Sequence, residues 1–178
     1  MSFRRVTTEV VGRFEIFDVV RHEVRHASWG DRTRKVHTLE TACDWANVVP
    51  LTDDGRLVMI RQHRFGIDGP SLEIPGGLVD AGEAPLAAAR RELLEETGYE
   101  AASVEPLFAV YPNPALQPTR LHMFVARGCT AAAAGPRLEE LEDCVTVLVP
   151  LAELRARIEA GEVHHALVIT ALAAARLL

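Results

Sequence analysis

The feature that most constrains this chain is a helix-forming segment with three glutamates on one side. Pro85 suits a first helical position, because its missing N–H would be unpaired there in any case. Good helix formers follow as far as Glu96, and Gly98 then supplies a left-handed stop. Glu92, Glu95 and Glu96 stand at i, i+3 and i+4, so their carboxylates share one face. Like charges at this spacing cost a helix about 0.2–0.5 kcal/mol per pair. A hard divalent cation removes that penalty, because Mg²⁺ prefers carboxylate and phosphate oxygens.

The alternative interpretation is an ordinary amphipathic helix with a solvated acidic face. The residues around the glutamates favour the metal site. Five residues separate Gly77 from Glu83, seven more lead to Arg91-Glu92, and the segment closes as Glu95-Glu96-Thr97-Gly98. This pattern resembles the Nudix box of enzymes that hydrolyse a nucleoside diphosphate linked to another group. The one departure is Tyr99, which stands where the family usually has an aliphatic residue.

The resemblance implies both a fold and a metal chemistry. The fold is an α/β one, a Nudix α/β/α sandwich around a mixed sheet, which agrees with the predicted order of strands, box helix, strands and closing helices. The cofactor is Mg²⁺, with Mn²⁺ as a possible substitute. The implied metal ligands are Glu92, Glu96, the carbonyl oxygen of Gly76 and Glu142. Arg91 pairs with Glu95 at i, i+4, and both are expected to serve catalysis.

An acidic run before the last predicted strand is the expected source of the general base. Four of the five residues from 139 to 143 are acidic, and the alternative is a solvated charge run. In the ADP-ribose pyrophosphatases that the chain resembles, the base lies on such a loop. The match favours Glu140 as the base and leaves Glu139 and Glu142 open.

Two segments before the box resemble the ADP-ribose and nucleotide-sugar branch of the family. They are Arg61-Gln62-His63-Arg64 and Leu72-Glu73-Ile74-Pro75-Gly76-Gly77. The match implies that Arg64 contacts the diphosphate or the terminal sugar, with Arg61 as a second candidate. The alternative for Arg64 is a surface arginine paired with an acidic neighbour. Glu73 is expected either to bind substrate or to order the loop.

Three further residues are candidates for contact with the substrate. Asn113 lies in the loop 112–118, where three prolines in seven residues restrict the backbone before any ligand binds. His122 follows on the next strand, and Trp45 could stack on a nucleobase. For His122 and Trp45 the alternative is packing in or beside the sheet. The loop lacks the Gly-Ser/Thr-x-Glu element of the best-known ADP-ribose pyrophosphatases, so the base and the sugar stay open.

The first forty residues are predicted to form an antiparallel arm. Residues 9–26 alternate loosely as one or two strands, and 35–41 read as a return strand. Such an arm is only marginally stable alone and needs a surface to pack on. We therefore divide the chain into an arm, 1–42, and a Nudix domain, 43–178. The resemblance implies that the arm builds a homodimer.

Composition limits the remaining possibilities. The chain has 178 residues and a net charge of −6 without a basic block, which argues against nonspecific binding to nucleic acid or an anionic membrane. Three scattered cysteines and the absence of an apolar signal core predict a cytoplasmic protein. The expected reaction is hydrolysis of ADP-ribose to AMP and ribose 5-phosphate. The alternatives are a GDP- or UDP-sugar hydrolase, a nucleoside triphosphate pyrophosphohydrolase and, least favoured, a non-catalytic nucleotide-binding regulator.

Overall fold

The computed structural model describes residues 3–138 and 143–178. Within these residues the chain forms ten β-strands, three α-helices and two short 3-10 helices, Ala27–Trp29 and Leu151–Glu153. The helices are Pro85–Thr97 (α1), Leu154–Glu159 (α2) and Ala166–Ala174 (α3). The strands are Phe3–Arg13 (β1), Asp18–His26 (β2), Arg34–Glu40 (β3), Trp45–Leu51 (β4), Arg56–Arg64 (β5), Gly69–Glu73 (β6), Gly76–Leu78 (β7), Tyr99–Val110 (β8), Leu121–Ala131 (β9) and Val145–Pro150 (β10).

The chain divides into two compact units. The first comprises Met1–Asp44 together with Tyr111–Arg120, and the second comprises Trp45–Val110 together with Leu121–Leu178. The first unit therefore contains the predicted arm and also the proline-rich loop, which lies far along the chain from it. The division into an arm, 1–42, and a Nudix domain, 43–178, stays a prediction.

The first unit is built on an antiparallel sheet in the order β1-β2-β3, so the predicted antiparallel arm is confirmed. Its central strand carries the buried His22, whose ring nitrogens lie 3.1 Å from the Thr8 hydroxyl and 2.9 Å from the Thr38 hydroxyl. The proline-rich loop joins the end of β3, where the Leu39 amide donates to the Leu116 carbonyl at 2.8 Å. The two contacts of the His22 ring link the central strand to both of its neighbours and satisfy both ring nitrogens.

The second unit is a mixed sheet covered by helices on both faces. Its strand order is β10-β5-β4-β9-β8, with β6 added to β5 and β7 added to β4, and among the described strands only the β4–β9 pair is parallel. Successive side chains of a strand point to opposite faces. Val48 accordingly packs in the cluster that contains α1, and Val49 packs in the cluster that contains α2 and α3. The predicted α/β class with a mixed sheet is confirmed.

Helix α1 follows its sequence signals closely. Pro85 occupies the start of the helix, and Gly98 ends it in the left-handed conformation (φ +69°), where its N–H donates to Leu94 O at 2.8 Å. Small or branched apolar side chains at Ala88, Ala89 and Leu93 are fully buried against the sheet. Among the described residues no helix combines the length and the apolar content needed to cross a membrane.

Candidate active site

Two of the three glutamates on α1 are buried rather than solvated. Glu92 is 7% exposed and Glu96 is 3% exposed, whereas the side chain of Glu95 is 36% exposed. Burying a carboxylate is costly unless it is paired or hydrogen-bonded. This placement disfavours the interpretation of the helix as an amphipathic one with a solvated acidic face.

The short strand β7 forms the wall opposite these carboxylates. The Gly76 amide donates a hydrogen bond to Glu96 Oε2 at 2.8 Å. A Cβ added to Gly77 would overlap the carboxylate of Glu92, and one added to Gly76 would lie 2.5 Å from Ala46 O. Only glycine lets the backbone approach both the neighbouring strand and the helix this closely.

Arg91 ties the acidic groups together. Its Nη1 donates to Glu92 Oε1 at 2.8 Å and to Glu95 Oε2 at 3.0 Å, and its Nη2 donates to Leu78 O at 2.9 Å. Its Nε and Nη2 also bind Glu83 at 3.2 and 3.0 Å. The pKa of Arg91 is raised, first because of the hydrogen bonds to Glu83 and then through Glu95 and Glu92. The predicted Arg91–Glu95 pair is therefore formed, and one cation offsets the mutual repulsion of the glutamates.

The donor set suits a hard divalent cation. As the side chains stand, no group of three or more His, Cys, Asp or Glu residues in 3–138 and 143–178 is arranged to hold a metal ion. The carboxylates of Glu92 and Glu96 instead face Arg91 and the Gly76 amide. These two buried side chains nevertheless offer only carboxylate oxygens, which are the donors that Mg²⁺ prefers.

The upstream motifs meet in a second polar cluster of the same unit. Arg64 binds Glu73 with two parallel hydrogen bonds, Nε to Oε1 at 3.0 Å and Nη2 to Oε2 at 2.8 Å. Glu73 is 3% exposed and also accepts a hydrogen bond from His165 Nδ1 at 2.9 Å. Burial alone would raise the pKa of Glu73, but the hydrogen bonds from Arg64 and His165 outweigh it and hold that pKa far below its usual value. The pKa of Arg64 is raised, first because of its hydrogen bonds with Glu73. The negative charge of Glu96 raises it further.

His165 is the residue of this cluster that the sequence did not point to. It lies 92 positions from Glu73 and belongs to no recognisable motif. Its only sequence signal is a polar residue immediately before an apolar helix, which predicts a helix cap and not a contact with a distant strand.

Arg61 does not join Arg64. It pairs across the sheet with Leu72, whose side chain belongs to the cluster on the α2 and α3 face. Residues directly opposite each other on two strands have their side chains on the same face of the sheet, whereas residues three positions apart on one strand have theirs on opposite faces. Arg61 and Arg64 therefore lie on opposite faces. Arg61 lines a separate cleft of about 190 Å³ together with Pro70 and Gly161.

The other substrate candidates lie in different places. Trp45 begins β4 and packs, half-buried, against the core on the α2 and α3 face. His122 is half-buried on β9, opposite Ala46 of β4 and Ala109 of β8. Asn113 is exposed in the first unit, where its carbonyl accepts hydrogen bonds from the amides of the loop residues 116 and 117. Glu140 and Glu142, with Glu139, lie outside the described residues.

Three comparisons with known proteins all find similarity to nucleotide-hydrolysing proteins. The NUDIX domain family model matches residues 44–171. A relative named ADP-ribose pyrophosphatase from Bacillus subtilis (strain 168) is 33% identical over 119 residues, which cover 67% of this chain and 64% of the relative. A GDP-mannose pyrophosphatase from Citrobacter koseri is 35% identical over 116 residues, covering 61% of this chain and 60% of the relative. The matched part thus spans less than two thirds of each of these relatives. A solved structure described as an ADP compounds hydrolase superposes with a TM-score of 0.87 at 25% identity, covering 99% of this chain and 93% of that chain.

Proposed function

The chain belongs to the NUDIX domain family, and from that premise we propose that it hydrolyses the pyrophosphate bond of a nucleoside diphosphate sugar with a divalent metal. The preferred substrate is ADP-ribose, which yields AMP and ribose 5-phosphate. The observation that carries the proposal is the pair of buried carboxylates of Glu92 and Glu96 beside the glycine cradle of β7. A fold that needed only a stable helix would not bury two like charges one turn apart.

Each part of the site then has a role in hydrolysis. Glu92, Glu96 and the carbonyl oxygen of Gly76 would hold Mg²⁺ or Mn²⁺, with Glu142 as a further ligand. When bound, the cation supplies charge neutralisation for the diphosphate and lowers the pKa of a water. Arg91 fixes the carboxylates of Glu92 and Glu95 in place through hydrogen bonds of 2.8 and 3.0 Å.

The proton of the attacking water needs an acceptor outside α1. We assign this role to Glu140, the residue of the acidic run that the resemblance to ADP-ribose pyrophosphatases puts in the base position. The segment that leads to it is anchored at the helix, since the Arg137 amide donates to Glu95 O at 2.7 Å.

The substrate-binding residues are Arg64, Glu73, Trp45, Asn113, His122 and Arg61. Arg64 has the best support of these six, because a paired guanidinium close to Glu96 can present its remaining N–H groups to a phosphate oxygen. A GDP-sugar is the second candidate substrate, favoured by the relative that is named GDP-mannose pyrophosphatase. The proline-rich loop lacks the glutamate-containing element expected for ADP-ribose enzymes, and this absence also favours a GDP-sugar as the alternative substrate.

The arm, 1–42, is proposed to build a homodimer of the Nudix domain, 43–178, in the cytoplasm. The support is the apolar surface of the arm: Phe3, Val6 and Val11 of β1 are all more than 40% exposed, as is Val36 of β3. Several exposed apolar side chains on one small sheet exceed the scattered single residues of an ordinary surface and favour an interaction site. Light scattering coupled to gel filtration tests this, and a monomer at micromolar concentration would contradict it.

The decisive experiment is a hydrolysis panel with Mg²⁺, Mn²⁺ or a chelator. The substrates are ADP-ribose, GDP-mannose, UDP-glucose, NADH and the nucleoside triphosphates, and the products are identified by chromatography. We expect metal-dependent release of AMP from ADP-ribose at the highest kcat/KM. Release of pyrophosphate from triphosphates at a higher kcat/KM would replace the proposed substrate class.

Glu96→Gln links the activity to the site, with Glu159→Gln as the matched control. Glu159 is an exposed helical glutamate on α2, so both variants remove one carboxylate charge from a helix. Glu96→Gln is expected to lose most turnover, by about 10²–10³-fold, while the circular dichroism spectrum stays unchanged. Near-wild-type activity of Glu96→Gln would contradict the assignment.

A further inference from the structure

The contact between His165 and Glu73 has a defined direction. The depressed pKa of Glu73 keeps its carboxylate ionised, and an ionised carboxylate only accepts hydrogen bonds. The proton in the 2.9 Å contact therefore belongs to His165 Nδ1, which donates to Oε2. Arg64 Nη2 donates to the same oxygen at 2.8 Å. A continuous chain of hydrogen bonds thus runs from the start of α3 through Glu73 to Arg64.

His165 uses its side chain on this contact instead of on its own helix. It occupies the N-cap position of α3 in an extended conformation (φ −72°, ψ 119°), but its ring makes no capping hydrogen bond. Residues at this position commonly bind the free amides of the first turn. The helix itself is fixed by the buried side chains of Val168, Ala171 and Leu172, so His165 projects from an anchored element.

The same network determines what Arg64 can offer. Its Nε and Nη2 are both committed to Glu73, while its side chain is 45% exposed. Within the described parts of the chain, Nη1 of Arg64 has no hydrogen-bond partner. A guanidinium held by two parallel bonds keeps a fixed plane, so the direction of Nη1 depends on the orientation of the Glu73 carboxylate. With Arg64 alone, that carboxylate could rotate together with the long arginine side chain.

We propose that His165 is a positioning residue, which fixes Glu73 and through it directs the guanidinium of Arg64 at the diphosphate of the substrate. The proposal rests on the proposed function for its substrate, but the network that carries it belongs to the second unit alone. Its three side chains, Arg64, Glu73 and His165, are hydrogen-bonded to one another, and none of them is a proposed metal ligand.

The first test compares three histidine variants in steady-state hydrolysis of ADP-ribose. His165→Ala is expected to raise KM about tenfold and to change kcat far less, because a lost hydrogen bond to a charged group weakens ground-state and transition-state binding alike. His165→Asn is expected to restore KM to within about twofold, because the amide N–H₂ can replace the Nδ1–H donor.

His164→Ala is the matched control. Its ring lies 3.0 Å from the Gly161 carbonyl and forms no hydrogen bond with Glu73, so this variant keeps the Arg64 network and its KM should equal that of the wild type. An unchanged KM in His165→Ala, or equal effects of His164→Ala and His165→Ala, would overturn the proposal.

The second test is a double-mutant cycle with Arg64→Ala. If His165 acts through Arg64, then His165→Ala should produce no further rise in KM once the guanidinium is absent. Contacting residues of one network are non-additive, whereas independent sites add. A further tenfold rise in the Arg64→Ala background would show that His165 acts by another route and would refute the proposal.

The third test needs no turnover and therefore separates this proposal from the proposed function. Phenylglyoxal modifies accessible guanidinium groups, and peptide mass spectrometry follows the rate at Arg64. That rate should rise by about threefold or more in His165→Ala and stay at the wild-type value in His165→Asn and His164→Ala. If the panel shows no hydrolysis but this rate rises, the proposed function fails while the positioning of Arg64 stands. An unchanged rate at Arg64 overturns the positioning itself.

Discussion

Gly98→Ala is the substitution for which the structure gives the most detailed expectation. Gly98 ends α1 at φ +69°, a conformation that side chains disfavour. An added Cβ would also lie 2.7 Å from the Pro136 nitrogen and 2.8 Å from the Gly135 carbonyl carbon. Both atoms belong to the backbone, so the segment could relieve the overlap only by moving as a whole.

Two contributions set the size of the effect. An alanine in the left-handed region costs about 1–2 kcal/mol, of which about 0.4–1 kcal/mol is offset because alanine restricts the unfolded chain. Overpacking against rigid neighbours adds about 1–3 kcal/mol. We therefore expect Gly98→Ala to lower the free energy of unfolding by about 3 kcal/mol.

Gly55→Ala isolates the first contribution, the cost of an alanine in the left-handed region. Gly55 also has a positive φ, +79°, but an added Cβ would meet nothing within 4 Å. This variant should lose only about 1 kcal/mol. Equilibrium unfolding in urea, followed by tryptophan fluorescence, measures both values, and equal slopes make the comparison valid. Equal losses in the two variants would refute the argument that Gly135 and Pro136 pack against the helix end.

Gly98→Ala also tests whether the acidic run depends on the end of α1 for its position. The Ala132 amide donates to Gly98 O at 2.8 Å, so the helix end holds the segment that leads to residues 139–143. We expect Gly98→Ala to lower kcat more than it raises KM, because the general base would be displaced while the substrate contacts stay. Gly55→Ala should leave both constants unchanged, and an unchanged kcat in Gly98→Ala would argue against a base on that segment.

Three further predictions address the remaining groups of the site. Gly77→Ala should displace the carboxylate of Glu92 and raise the Mg²⁺ concentration needed for half-maximal rate, and an unchanged metal dependence would contradict the cradle. Glu73→Gln should destabilise the protein by about 2 kcal/mol at pH 7, a discounted value because the arginine partner is half exposed. That loss should shrink as the pH falls below about 4.5, because a carboxylate with a lowered folded-state pKa contributes its full stability above the unfolded value and loses it progressively toward the folded-state value. Urea unfolding at several pH values measures it. Arg91→Lys should lower kcat about tenfold because an ammonium cannot bind Glu83 and Glu92 in the same fork, and an unchanged kcat would remove Arg91 from catalysis.

Local signals explain why the sequence predicted α1 so well. Pro85 and Gly98 act on their own turns, and the hairpin between β4 and β5 depends on Gly55 at φ +79°. The alanine run at 131–134 carries no strand signal of its own, yet β9 continues to Ala131. The reason lies in a partner strand, because Tyr99 pairs with Ala131 across the sheet. A poor strand former was kept in the sheet by its neighbour.

The sequence could not predict which side chains from distant parts of the chain contact each other. The motif that contains Arg61 and Arg64 suggested that both would face a phosphate, but strand alternation separates them once β5 is seen to run to Arg64. The pairing of Arg64 with Glu73 was foreseen only as an alternative. His165 was invisible, because a contact across 92 positions leaves no local pattern. Long-range contacts of this kind require the coordinates.

The two-segment composition of the first unit limits how the chain could have been assembled during evolution. A recombination event near residue 44 would bring a new sheet without its companion, the segment Tyr111–Arg120, whose Thr119 hydroxyl bonds that of Thr41. Such a chimaera would inherit a loop selected for a different ancestor. We therefore expect the arm and this loop to have diverged together, as one heritable piece that is encoded in two places. A transplant between relatives would preserve the contact between Thr41 and Thr119 only if it carried both segments at once.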